Sequence, residues 1–218
     1  MSPLAQLALL VPVAYLAGSV PFGLLVGLAK GVDVRTAGSG NIGATNVARV
    51  LGHKKWFWAV FVLDLGKSLV PMLVGAAILG GRGKTAAEYA LWLGVGFAAV
   101  LGHMFSVFLR FKGGKGVATS AGVLLGLWPY FTVPGVIAIG VFVVVFMAWR
   151  YISLASIVAA GLFPVTYVTV GLARGWPVFA EAWPLLIFAV LIAGLVVFRH
   201  RTNIARLRAG TEAKFTKK

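Results

Sequence analysis

The sequence is organised around one polar stretch, residues 38–52, which reads Gly38-Ser39-Gly40-Asn41-Ile42-Gly43-Ala44-Thr45-Asn46-Val47-Ala48-Arg49-Val50-Leu51-Gly52. We call it the first glycine segment. Glycine lets backbone N–H groups converge on an anion, and an arginine guanidinium matches the geometry of a phosphate or carboxylate. The segment therefore predicts an anion-binding loop. The candidate contacts are Gly40, Gly43 and the side chains of Ser39, Asn41, Thr45, Asn46 and Arg49.

Two alternatives apply to this segment. Ser, Thr and Asn are common helix caps, so a polar connecting loop is the simpler interpretation. Gly38, Gly40 and Gly43 also match the pattern G-x-G-x-x-G, which marks a dinucleotide site only between a strand and a helix. Because long apolar runs flank the segment, we exclude a nucleotide-binding domain.

Composition places the chain in the membrane. Of its 218 residues, 60% are hydrophobic, only 20 are basic and 5 acidic, and the mean hydropathy is +0.96. Soluble chains carry about a quarter of their residues as charges. We therefore predict an all-α integral membrane protein that forms a single domain over residues 1–218. The chain has no cysteine, which excludes disulfides and thiolate chemistry.

Seven apolar runs predict seven transmembrane helices. The first run has no charge before Lys30, so it lacks the basic start of a signal peptide and is expected to be retained. The fourth run is short, and Pro129 and Pro134 mark the turn that follows it. Further turns are expected at 81–84 and 174–181. The predicted spans are 3–29, 56–80, 86–109, 117–128, 131–149, 151–173 and 182–198.

The net charge of +15 is distributed unequally between the two sides that these spans define. One side carries Lys30, Arg35, Arg49, Lys54, Lys55, Arg110, Lys112, Lys115, Arg150, Arg199, Arg201, Arg206, Arg208, Lys214, Lys217 and Lys218. The other side has only Arg82, Lys84 and Arg174, while Lys67 lies within a span. The positive-inside rule assigns the richer side to the cytoplasm and the N-terminus to the outside. This rule and anionic substrates explain the charge, so we expect no nucleic-acid partner.

A second glycine segment, residues 110–120, reads Arg110-Phe111-Lys112-Gly113-Gly114-Lys115-Gly116-Val117-Ala118-Thr119-Ser120. Its glycines and lysines predict a second anion-binding loop, although it is not a Walker motif. The predicted topology puts both segments, Arg150 and the tail with His200 and Asn203 on one face. We therefore predict one basic site at the membrane edge for phosphate-bearing molecules.

The titratable residues limit the chemistry. His200 and Asn203, at i and i+3, share a face if the tail is helical, and His200 is the best acid–base candidate. Asp64 and Lys67 have the same spacing within a span, as a structural ion pair or as catalytic residues. His53 and His103 are interpreted first as interface anchors. Because no carboxylates cluster, we expect neither a metal nor a cofactor.

Two acyl-transfer signatures are absent. Each histidine is followed five residues later by Trp58, Phe108 or Ala205, so the H-x-x-x-x-D pair of soluble-headed acyltransferases is missing. There is no G-x-S-x-G nucleophile elbow either. The residues present favour phosphate binding and charge stabilisation over covalent catalysis.

Several ordered motifs together resemble the bacterial acyl-phosphate:glycerol-3-phosphate acyltransferase family over nearly the whole chain. They are Gly18-Ser19-Val20-Pro21-Phe22-Gly23, the first glycine segment, Leu63-Asp64-Leu65-Gly66-Lys67, Gly102-His103, the second glycine segment, Arg150 with Ser153 and Ser156, His200-Arg201-Thr202-Asn203-Ile204 and Gly210-Thr211-Glu212.

The resemblance implies an inner-membrane enzyme with its active site facing the cytoplasm. It would transfer an acyl group from acyl phosphate to glycerol 3-phosphate, coupled to an acyl-phosphate-producing enzyme. The expected catalytic residues are Ser39, Arg49, Lys112, His200 and Asn203. Added phosphate-binding candidates are His103, Gly113, Gly114, Lys115, Gly116, Ser153 and Glu212. The rival hypothesis is a transporter or channel for phosphorylated solutes gated by Asp64 and Lys67, although the chain shows no internal repeat.

Overall fold

The computed structural model describes residues 1–80, 85–180 and 182–215, where every regular element is a helix. The predicted turn at 81–84 and Glu181 lie outside these residues. The described residues divide into two compact units, one up to residue 123 and the other from residue 124 onward. The α-helices are α1 (Pro3–Ser19), α2 (Phe22–Leu28), α3 (Ala44–Val50), α4 (Lys55–Leu79), α5 (Ala86–Met104), α6 (Val117–Gly126), α7 (Thr132–Trp149), α8 (Ile152–Ala173), α9 (Trp183–Arg199) and α10 (Arg201–Arg208), with a 3₁₀ turn at Val107–Leu109.

The helices confirm the all-α membrane class. Within the described residues, five spans are long and apolar enough to cross a bilayer, with α1 and α2 counted as one; α9 and α10, bent by 56°, make a sixth if taken together. Helix α6 has only 10 residues, so it extends about 15 Å against a hydrocarbon core of about 30 Å. The predicted set of seven spans is therefore not confirmed.

The first predicted helix is broken, which corrects the prediction of one continuous helix over 3–29. Val20 is extended with ψ 118°, because the residue before a proline avoids the α region and Pro21 has no N–H to donate. A break within a membrane leaves carbonyls that need donors. Ser106 Oγ donates to Ser19 O at 2.6 Å, and Lys67 Nζ donates to Val20 O at 2.9 Å.

The polar region 30–55 is not entirely loop, because it contains the short helix α3. Val47 of α3 is fully buried and packs with Leu24, Val34, Ile42 and Val60 in one apolar cluster. This cluster fixes the first glycine segment against α2 and α4. A polar-looking segment is thus held by the few apolar residues within it.

Helices α1 and α5 approach closely through glycine. A Cβ on Gly18 would overlap the carbonyl of Ala99, and one on Gly102 would overlap the carbonyl of Tyr15. Small residues allow such close backbone packing in membranes, where apolar lipid weakens the hydrophobic drive between helices. The Tyr15 hydroxyl adds a hydrogen bond to Phe105 O at 2.8 Å.

The second unit packs α7, α8 and α9 around aromatic rings. Phe131 lies edge-on to Phe163 and Tyr167, with ring centroids 5.2 and 5.5 Å apart, and stacks on Phe188. Pro134 lies in the first turn of α7 and not in the preceding turn, which corrects that part of the prediction. The position is compatible with proline because first-turn N–H groups have no intrahelical partner.

Candidate active site

Asn46 shapes the first glycine segment from within. Its amide nitrogen donates to Val34 O at 3.0 Å and Ala37 O at 3.1 Å, while its oxygen accepts from Ser39 N at 2.8 Å. Asn46 is only 2% exposed. A Cβ on Gly38 would overlap this amide oxygen, and Gly38 has a positive φ of 62°. The buried amide therefore positions the loop that carries Ser39.

The exposed groups of this segment are those that can meet a substrate. Ser39, Gly40 and Arg49 are exposed, and Asn41 and Thr45 are half-buried. Asn41 Oδ1 accepts from Gly43 N at 2.9 Å, and Gly40 N donates to Ala37 O. Several backbone donors thus maintain the loop itself. That this segment binds an anion, through the side chains of Ser39 and Arg49 above all, stays a prediction.

The second glycine segment folds back onto the end of α5. Gly113 N donates to Met104 O at 3.1 Å and Gly114 N to His103 O at 3.0 Å. The last carbonyls of a helix have no intrahelical partner, so these bonds complete α5. A Cβ on Gly113 would overlap His103 O, and one on Gly114 would overlap His103 Nε2.

These contacts correct one prediction. The glycines were expected to offer free N–H groups to an anion, but those of Gly113 and Gly114 are bonded to α5. Lys112 is exposed and Lys115 half-buried, and with the exposed Arg110 they supply the positive charge of this segment. Gly116, with φ 81°, turns the chain into α6.

A buried charged cluster lies behind the second glycine segment. Lys67 Nζ is 2.8 Å from Asp64 Oδ1, which is 3.7 Å from His103 Nδ1. These side chains are only 3–4% exposed. His103 is therefore not an exposed interface anchor, whereas His53 is exposed. Asp64 and Lys67 form the ion pair that was one of the two alternatives for their spacing.

The second unit holds another predicted group around Glu212. Ser153 Oγ and Asn203 Nδ2 each donate to Glu212 Oε1 at 2.6 Å, and Arg206 Nε donates to Oε2 at 2.7 Å. Burial acts to raise the pKa of Glu212, but these three hydrogen bonds outweigh it and the pKa is lowered. The carboxylate is thus ionised and occupied by protein donors.

His200 lies where α9 meets α10. It is 2% exposed, and its Nδ1 is 2.7 Å from Val196 O. Because a carbonyl only accepts, Nδ1 carries the hydrogen, and Nε2 is the acceptor of the neutral ring. After the bend the tail continues as helix α10, which is the condition under which His200 and Asn203 were expected to share a face.

The chain matches a known family over nearly its whole length. The model described as "Glycerol-3-phosphate acyltransferase" matches residues 8–210. The chain belongs to this family. A curated relative of that name from Geobacter metallireducens is 50% identical over 211 residues, covering 95% of this chain and 96% of the relative. Another, from Anaeromyxobacter sp. (strain K), is 43% identical over 216 residues, covering 98% and 100%.

Two solved structures support the same family assignment. This chain is similar to a crystal structure of PlsY (YgiH), an integral membrane glycerol 3-phosphate acyltransferase, in its glycerol 3-phosphate form. The TM-score is 0.81 at 40% identity, and 97% and 96% of the two chains are covered. The lysophosphatidic acid form of PlsY matches with a TM-score of 0.78 at 39% identity, with the same coverage.

In this acyltransferase, the two units hold different parts of the predicted site. The first unit carries both glycine segments and His103, and the second carries Ser153, His200, Asn203 and Glu212. Their action as one site stays a prediction. Sequence reasoning missed Arg206 as a partner of Glu212, although it follows Asn203 by three residues. Within the described residues, no group of three His, Asp or Glu could hold a metal.

Proposed function

We propose that this protein transfers a fatty acyl group from acyl phosphate to the 1-hydroxyl of glycerol 3-phosphate, giving lysophosphatidic acid and inorganic phosphate. One observation carries the proposal: the chain corresponds over 97% of its length to PlsY in both its glycerol 3-phosphate and its lysophosphatidic acid form. We extend the donor to acyl phosphate because both glycine segments supply cations suited to phosphate. An enzyme that makes acyl phosphate is then the functional partner.

In this reaction the protein contributes by orienting the substrates more than by covalent catalysis. The acceptor hydroxyl attacks the acyl carbonyl, the carbon–oxygen bond to phosphate breaks, and phosphate leaves. Holding two reactants in line removes much of the entropic barrier, and fixed donors stabilise the developing oxyanion. Ser39, Arg49 and Lys112 or Lys115 are our candidates for binding phosphate and for this stabilisation. A substrate phosphate oxygen takes the hydroxyl proton.

We assign His200 and Asn203 to the acceptor side of the reaction. The hydrogen bond from His200 Nδ1 to Val196 O fixes the ring and directs its chemistry to Nε2. Glu212 holds Asn203 and Ser153 at 2.6 Å, so we give it a positioning role and not a direct phosphate contact. An ionised carboxylate would repel a phosphate.

We further propose seven spans, an outside N-terminus and an inner-membrane site open to the cytoplasm. The short helix α6 would be the seventh crossing, and the charge asymmetry of the sequence supports this orientation. Because the chain has no cysteine, single cysteines at positions 40, 150 and 208 can be labelled with a membrane-impermeant thiol reagent. Labelling only after the cytoplasmic side is exposed supports the topology. Labelling of positions 150 and 208, but not of position 40, from outside would mean that α6 does not cross.

Arg49 provides the sharpest test of the site. Arg49→Ala should reduce turnover by about a hundredfold to a thousandfold, as removal of one transition-state donor does, and leave the protein folded. Arg35→Ala is the matched control, because Arg35 is an exposed arginine of the same region that is bound to Asp33 at 2.7 Å. An active Arg49→Ala variant would remove the role given to this residue.

A further inference from the structure

We infer that Asp64 and Lys67 are positioning residues that act through His103 on the second glycine segment. The inference rests on the proposed phosphate-binding role of that segment. It gives a function to two charges that the proposed reaction does not otherwise use. Charges buried in a membrane are costly and are retained where they serve a site or one another.

The cluster is a chain of contacts between two places in the first unit. At one end, Lys67 Nζ donates to Val20 O at 2.9 Å, where α1 breaks before Pro21, and lies 5.7 Å from the centre of the Phe22 ring. In the middle, the same ammonium is 2.8 Å from Asp64 Oδ1. Lys67 therefore both satisfies an orphan carbonyl of the broken helix and neutralises the carboxylate.

The other end of the chain of contacts reaches the second glycine segment. His103 Nδ1 is 3.7 Å from Asp64 Oδ1, and His103 Nε2 lies so close to Gly114 that no Cβ fits there. His103 also accepts the Gly114 N–H through its carbonyl, at 3.0 Å. Ring and backbone of one residue thus fix the loop between Lys112 and Lys115. A change at Asp64 moves the ring, and the ring moves the loop.

If Asp64 and Lys67 served only to neutralise each other, replacing both would leave the loop unaffected. Well-packed apolar residues can substitute for a buried ion pair of that kind. Our inference predicts a specific kinetic signature instead. Asp64→Asn keeps the shape of the side chain and removes the charge. It should raise the KM of the substrate whose phosphate is held by Lys112 and Lys115.

The experiment uses the full chain in lipid and measures kcat, both KM values and the thermal midpoint. Lys112→Ala and Lys115→Ala first identify the substrate that the loop holds. We expect Asp64→Asn to raise that KM about tenfold, equivalent to ~1.4 kcal/mol, and to change the other KM less than twofold. Trp92→Phe is the matched control, because Trp92 Nε1 donates to Met72 O at 2.9 Å and joins the same two helices, α4 and α5. It should lower the thermal midpoint and leave both KM values unchanged.

If the unpaired Lys67 prevents Asp64→Asn from folding, the charge-balanced double variant Asp64→Asn/Lys67→Gln replaces it, with the same expectation for KM. The inference is overturned if Asp64→Asn or the double variant keeps wild-type KM values, or if its effects match those of Trp92→Phe. In that case the effects of Lys112→Ala and Lys115→Ala on KM would still support the phosphate role of the loop. If both lysine variants keep wild-type KM values, the proposed phosphate role of the loop fails, and the inference fails with it.

Discussion

Replacing Asn46 by alanine should disorder the first glycine segment without removing any exposed group. The change deletes three hydrogen bonds, to Val34 O, Ala37 O and Ser39 N, at 2.8–3.1 Å. Each such bond contributes about 1 kcal/mol net, so the loss is about 3 kcal/mol. If the whole loss of free energy opposes ordering of the loop, the fraction of molecules that hold Ser39 in place falls by about a hundredfold.

Two measurements test the effect of Asn46→Ala: glycerol-3-phosphate-dependent phosphate release, and the thermal midpoint of the protein in lipid. We expect kcat/KM to fall by about ten- to a hundredfold, because the fall in the fraction of molecules with an ordered loop sets the upper limit. Asn46→Asp should be at least as damaging, because it keeps the acceptor for Ser39 N but faces two carbonyls with an anion. Thr36→Val is the matched control, since it removes one exposed hydrogen bond, from Thr36 Oγ1 to Asp33 O at 3.0 Å, in the same region.

One result would refute this reasoning. If Asn46→Ala keeps turnover within twofold of wild type, as we expect of Thr36→Val, the buried amide does not position Ser39. The loop would then be held by its apolar contacts alone, through Ile42 and Val47.

Further predictions test the packing and the ionised carboxylate. Gly113→Ala should reduce turnover at least tenfold, because its Cβ would overlap His103 O; wild-type kinetics would contradict the packing described for this loop. Gly18→Ala should destabilise the protein by about 1–3 kcal/mol through overpacking against Ala99, read as a lower thermal midpoint. The pKa of Glu212 lies below its ordinary 4.5, so its contribution is complete above pH 4.5 and is lost as pH falls through the folded pKa. The difference in thermal midpoint between wild type and Glu212→Gln should therefore be constant from pH 7 to about 5 and shrink below; a difference that grows on acidification would contradict an ionised Glu212.

The long helices could be predicted because span length follows from bilayer thickness and apolar runs report it directly. Helices α4, α7, α8 and α9 begin and end within one or two residues of the expected bounds. The break before Pro21 could not be predicted with the same assurance. Its carbonyls are satisfied by Lys67 and Ser106, which lie far away in the sequence.

The glycine motifs predicted anion-binding loops, but glycine can be required at these positions for a second reason. An anion-binding loop and a loop packed on a helix both require residues without a Cβ, so sequence cannot separate them. At Gly113 and Gly114 the packing requirement is evident, because both N–H groups complete α5. The same ambiguity hid the role of Asn46, which resembles a surface donor in sequence and is buried in the structure.

Contacts between distant residues were the hardest to anticipate. Ser153 and Glu212 are 59 positions apart, yet they share a hydrogen bond of 2.6 Å. The sequence places both among candidate site residues through the family resemblance, and no local pattern pairs them. Helix α3 was missed for a related reason, since its stability comes from burying Val47 and not from an obvious helical period.

The central claim is tested most directly by phosphate release from the purified protein in lipid, given acyl phosphate with and without glycerol 3-phosphate. Our account predicts release that requires glycerol 3-phosphate and equals lysophosphatidic acid formed, mole for mole. Absence of release, together with uptake of glycerol 3-phosphate into sealed vesicles, would contradict it and favour a transporter.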